Sequence, residues 1–132
     1  WFNADIMLGV HFWGTITCKL INFAVYMGFK NIYLLGVDNN WPGRKNEDGK
    51  YMYDVNVKSH FDDSYFAGGY SEKLEKNIND MIKSIEYMDA SYKSVKWNCE
   101  QLGVKIFNST RGGKLEEFPR IKIEDAINKI QC

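Results

Sequence analysis

Hydrophobic and polar positions alternate between two periods along this chain. From Thr15 the apolar residues Ile16, Leu20, Phe23, Ala24 and Met27 recur at helical spacing, with Gly28 as a stop. Thr15 predicts the N-cap, because its hydroxyl can accept a hydrogen bond from an orphan amide of the first turn. Residues 31–37 follow as an apolar run, predicting a strand buried on both faces of a parallel sheet. A longer stripe comprises Met81, Ile85, Met88, Tyr92, Val95, Cys99 and Leu102. It steps by three and four, predicting about six turns of helix ending at Gly103, its apolar face in the core. Residues 104–107 read as a second strand and 123–130, after Pro119, as a short last helix. Residues 5–10 read as a further, weaker strand.

Between the first strand and the long helix, residues 38–71 show no clear period. They are polar and aromatic, punctuated by Pro42, Gly43, Gly49, Gly68 and Gly69. Such a stretch is a functional loop or disordered, and its aromatic content (Trp41, Tyr51, Tyr53, Phe61, Tyr65, Phe66, Tyr70) argues against simple disorder. The expectation is an ordered lid, with Tyr51–Val57 alternating enough for a short strand. Strand and helix in alternation, with neither internal repeats nor a linker, predict a single α/β domain over residues 1–132.

Composition narrows the partners. Seventeen basic residues balance seventeen acidic ones, and only Arg44, Arg111 and Arg120 are arginines. That leaves no electrostatic footprint for nucleic acid or an anionic membrane surface. No apolar run approaches the roughly 20 residues of a membrane span, and no leader pattern opens the chain. Cys18, Cys99 and Cys132 are odd in number and far from His11 and His60. Cys18 and Cys99, on predicted helices, read as buried thiols, and the pattern suggests a reducing, cytoplasmic setting with no zinc site and no disulfide framework.

Four constellations could carry chemistry. Gly14-Thr15 opens a helix whose free amides favour phosphate, although an ordinary capped helix has the same sequence. Asp38, Asn39, Asn40 and Trp41 follow the first strand, where ligands of open α/β sheets bind. The Asp38 carboxylate could hold a sugar hydroxyl or a metal, or cap a turn. Asn108, Ser109, Thr110 and Arg111, leading into Gly112-Gly113, would form an anion-binding turn with a guanidinium fork. His60, close to Asp62 and Asp63, could serve as a general base, or be a plain surface histidine.

Gly14-Thr15, Ala24, Gly28, Ile32 through Asp38, Ser59-His60 and Asn108 through Gly113 together resemble one protein group in motif order. The chain is similar to the C-terminal half of the bacterial sialyltransferases of glycosyltransferase family 42 and the related MptE-like domains. Many of these belong to polysaccharide or lipopolysaccharide biosynthesis. The resemblance implies a Rossmann-like parallel sheet, partial here, because no glycine-rich phosphate loop precedes Thr15. It implies a nucleotide-activated sugar as donor, a glycan acceptor, no metal, and a lid histidine as base, a role that falls to His60. Thr15 would hold phosphate, Asp38 and Asn39 nucleotide or sugar, and Asn108, Ser109 and Thr110 the nucleoside. The MptE-like branch implies instead magnesium-dependent pyrophosphate transfer from ATP to a pterin. A non-catalytic nucleotide-binding or assembly domain is the third reading. The match departs at Ser64, where the family's second lid histidine would stand, at Asn40 in place of a tyrosine, and at Trp13 in place of an arginine. Homo-oligomer formation stays open.

Overall fold

The computed structural model of the chain describes residues 2–9, 14–40, 43–45, 51–53 and 78–130. They fall into two compact units, Trp1–Asn39 with Tyr87–Cys132, and Asn40–Glu86. The first contains α1 (Ile16–Tyr26), β1 (Asn31–Leu34), β4 (Lys105–Asn108) and α3 (Ile123–Ile130). The second contains an antiparallel pair, β2 (Gly43–Lys45) with β3 (Tyr51–Tyr53), in which Arg44 lies opposite Met52. Helix α2 (Ile78–Gln101) contributes residues to both.

β1 and β4 pair in parallel, Asn31 opposite Lys105 and Leu34 opposite Asn108. The ladder is bounded by the Lys105 amide donating to the Lys30 carbonyl and the Ser109 amide to the Leu34 carbonyl, both at 2.8 Å. Both strands are launched by the same device. Gly28 (φ 89°) and Gly103 (φ 66°) take the left-handed conformation after α1 and α2. The Phe29 amide then donates back to Ala24, and the Val104 amide back to Cys99. Each is a Schellman closure, which satisfies the last helical carbonyls and turns the chain into a strand. On the far side of β4, the Asn108 amide donates to the Pro119 carbonyl and the Ile121 amide to the Asn108 carbonyl. Residues 119–121 thereby run parallel beside the end of β4.

The core lies on one face of this small sheet. Cys18 and Ile21 of α1, Tyr92, Val95 and Cys99 of α2, and Leu34, Val104 and Ile106 close against Leu115 and Phe118. Tyr92 meets Phe118 edge-on, ring centres 5.9 Å apart, a favoured aromatic geometry. Tyr33 and Phe107, one residue out of phase with Leu34 and Ile106, stack on each other at 5.3 Å. Lys129 of α3 caps the Phe107 ring.

The structure thus has the expected mixed α/β character, and it corrects several details. Residues 5–10 do not read as a strand: Ile6–Leu8 form a 3-10 turn, because the Asp5 carboxylate accepts from the Met7 amide. The first strand stops at Leu34 instead of residue 37, since Gly36 takes φ 75° and ends the extended run. It is not buried on both faces either; of its four residues only Leu34 is buried. The α1 stripe noted in the sequence is its exposed side: Ile16, Leu20, Phe23 and Met27 are 42–69% exposed, while Cys18, Ile21 and Asn22 face inward. The α2 stripe is core at Met88, Tyr92, Val95 and Cys99. Most of the stretch expected to form a lid, residues 54–71 included, lies outside the described residues. Among the described residues no helix is long and apolar enough to cross a membrane.

Candidate functional site

Because β1 and β4 are parallel neighbours, the segments that leave them meet at one end of the sheet. The Thr110 hydroxyl accepts from the Val37 amide at 2.9 Å. The Asp38 carbonyl accepts from the amides of Lys114, at 2.6 Å, and Leu115. Gly113 (φ 78°) lies so close to the Asp38 backbone that a Cβ there would collide with it. The two exits are therefore stitched together by main-chain groups and the Thr110 hydroxyl.

Asn108 is the anchor of the second exit. It is 1% exposed; its side-chain amide donates to the Leu115 carbonyl at 3.0 Å and its Oδ1 accepts from the Thr110 amide at 3.0 Å. Its polar groups thus shape the turn from within. Ser109 is also buried, and its hydroxyl makes no hydrogen bond. Arg111 is exposed. The guanidinium that organises the loop is Arg120, which the sequence reading did not select. It donates to the carbonyls of Thr110 (3.0 Å), Gly112 (2.7 Å) and Gly113 (3.2 Å) and grips the Glu116 carboxylate at 2.6 Å. That hydrogen-bonded pairing holds the Glu116 carboxyl below its usual range and raises Arg120. The four-residue spacing of Glu116 and Arg120 is its sole sequence trace, outside any helix. Beside the turn opens a shallow cleft of about 360 Å³, with Ser109, Thr110 and Arg111 on one side and Ile121, Lys122 and Glu124 on the other.

The start of α1 forms the other part. Thr15 caps the helix as expected, its hydroxyl accepting from the Cys18 amide. The same hydroxyl lies 3.2 Å from the Tyr92 hydroxyl of α2. A side chain at Gly14 would strike Ser91. Burial pushes the Tyr92 phenol and the Cys18 thiol up, in each case opposed by the hydrogen bond from Thr15. Asn39 takes φ 51°, the one non-glycine residue with positive φ among those described, and its amide donates to the Asp89 carboxylate of α2 at 3.2 Å.

Of the residues selected from sequence, Asp38, Asn39, Asn108, Ser109, Thr110 and Arg111 gather at the strand exits, while Gly14 and Thr15 meet α2. Asn40 begins the second unit. Trp41 and His60 lie outside the described residues. Asp89 and Tyr92 escaped the sequence reading because one sits on a solvent-facing row and the other within an apolar stripe. Among the described residues no cluster of three His, Cys, Asp or Glu side chains could hold a metal. No family model, no curated protein and no solved structure matches the chain.

Proposed function

We propose that this chain is the C-terminal part of a Rossmann-like, sialyltransferase-like glycosyltransferase that takes a nucleotide-activated sugar in cell-surface polysaccharide or lipopolysaccharide assembly. The observation that carries the reading is the parallel register of β1 and β4, with the two exits joined by Val37–Thr110 and Asp38–Lys114. Crevices outside the carboxyl ends of parallel strands are where open α/β sheets take their ligands. Of the motif residues of the resemblance, Asp38 and Asn108 through Gly113 lie at those exits, and Gly14-Thr15 at the capped start of α1. On this reading the α1 terminus holds phosphate, Asp38 and Asn39 face the nucleotide or sugar, and the Ser109–Thr110 turn borders the nucleoside. His60 of the lid takes the proton of the acceptor hydroxyl.

A thermal-shift panel of CMP, UDP, GDP and ATP, each with magnesium and with EDTA, tests this directly. A bound ligand stabilises by RT ln(1 + [L]/Kd), about 2.7 kcal/mol at 100 Kd. Stabilisation by a pyrimidine nucleotide that ignores EDTA is the expected result. Magnesium-dependent stabilisation by ATP alone favours the pterin pyrophosphokinase type, and no response to any nucleotide favours an assembly domain. Loss of sugar transfer in His60→Ala, with nucleotide binding kept, is expected in the intact enzyme.

A further inference from the structure

Helix α2 touches both ends of the proposed site with one turn. Asp89 and Tyr92 are three residues apart and so adjacent on the helix surface, Asp89 on its exposed side and Tyr92 at the edge of its buried stripe. Asp89 accepts from the Asn39 side chain at the β1 exit, and Tyr92 meets the Thr15 hydroxyl at the α1 start, each at 3.2 Å. Between them Ser91 fills the space in which a side chain at position 14 would stand. Asn39 is held in the left-handed region, which a non-glycine residue keeps only where its surroundings over-determine it. Asparagine tolerates that region better than most residues. The bond to Asp89 supplies a tertiary reason.

We propose that Asp89 and Tyr92 are positioning residues: a strut on α2 that fixes the β1 exit at Asn39 relative to the phosphate-holding start of α1. The inference rests on the nucleotide reading above for its functional half, because a ligand spanning phosphate and sugar must meet both ends at one fixed separation. Its structural half stands alone, as a claim about what holds Asn39 in its conformation. The strut is built from groups outside the motifs of the resemblance, which is why neither residue marks itself in the sequence.

The experiment uses the full chain with Asp89→Leu, Asp89→Asn and Tyr92→Phe. The intraresidue HN–Hα coupling and distance of Asn39 report its φ by NMR, and CMP titration reports affinity. In Asp89→Leu, Asn39 is expected to leave positive φ, and CMP affinity to fall on the order of tenfold. The melting temperature without ligand should barely move, because Asp89 is exposed. Asp89→Asn keeps an acceptor and should retain both the conformation and most of the affinity. Tyr92→Phe should weaken CMP severalfold with Asn39 unmoved. Retention of positive φ in Asp89→Leu overturns the strut. Unchanged CMP affinity after Asn39 has moved overturns its role in binding. A wild-type chain that ignores CMP sinks the CMP-donor reading together with that role, while the coupling still decides whether Asp89 holds Asn39.

Discussion

Asn108→Ala probes the joint on which the whole strand-exit arrangement depends. Asn108 is 1% exposed, and its side chain satisfies two main-chain groups, the Leu115 carbonyl and the Thr110 amide, at 3.0 Å each. Truncation removes both bonds and leaves those groups without a partner in a region too closed for easy solvation. Each such orphan costs about 1–3 kcal/mol, so the expected loss is roughly 2–6 kcal/mol, a large share of the about 5–15 kcal/mol typical of a domain. With a urea slope of about 2 kcal/mol per molar, the unfolding midpoint should drop by roughly 1–3 M. Far-UV circular dichroism during urea titration reads it. Asn108→Asp sharpens the test. A carboxylate still accepts from Thr110 but points a charge at the Leu115 carbonyl, whereas the neutral acid can donate to it. Burial raises such a carboxyl, so the variant approaches wild type below the unfolded value of about 4 and falls behind as pH rises. A midpoint shift under about 0.3 M for Asn108→Ala, or a pH-independent gap for Asn108→Asp, would refute the reasoning.

Further outcomes follow from other contacts. Burial pushes the Cys99 thiol from 9.0 to about 11, so the unfolded chain sheds its proton first. Stability should fall by about 2–3 kcal/mol as pH rises from 9 towards 11, a fall that Cys99→Ala removes. Native Cys99 should also resist thiol reagents at pH 8 and react once urea unfolds the chain. Gly113→Ala must fit a Cβ against the Asp38 backbone at φ 78°; a loss of at least about 1–2 kcal/mol is expected by urea titration. Thr15→Ala should cost about 1 kcal/mol as a lost N-cap. Thr15→Ser, which keeps the hydroxyl, should stay near wild type in the same assay.

The alternation of helix and strand was legible because its signals are local. Thr15 can cap α1 from its own side chain, Gly28 and Gly103 can adopt the left-handed turn that ends a helix, and the α2 stripe repeats at the period of the backbone itself. The candidate site was legible in part, since a strand end followed by Asp38-Asn39 or by Asn108-Ser109-Thr110 marks where a sheet delivers polar groups. The burial side of α1 was not legible, because two apolar rows run along that helix and only the sheet selects one. Residues 5–10 were misread because the Asp5 side chain competes with extended pairing, a contest that apolar content does not reveal.

The chain by itself determined where helices stop and strands start, because capping, turn conformation and periodicity act over five residues or fewer. Tertiary structure alone decided that Arg120 would clamp the turn after β4 and that Asn108 would hold it from inside. It also decided that one turn of α2 would bond to both Thr15 and Asn39. The bonds from α2 to Thr15 and Asn39 join residues 77 and 50 positions apart, and a bond across such a distance exists only once hydrophobic burial has brought its partners together.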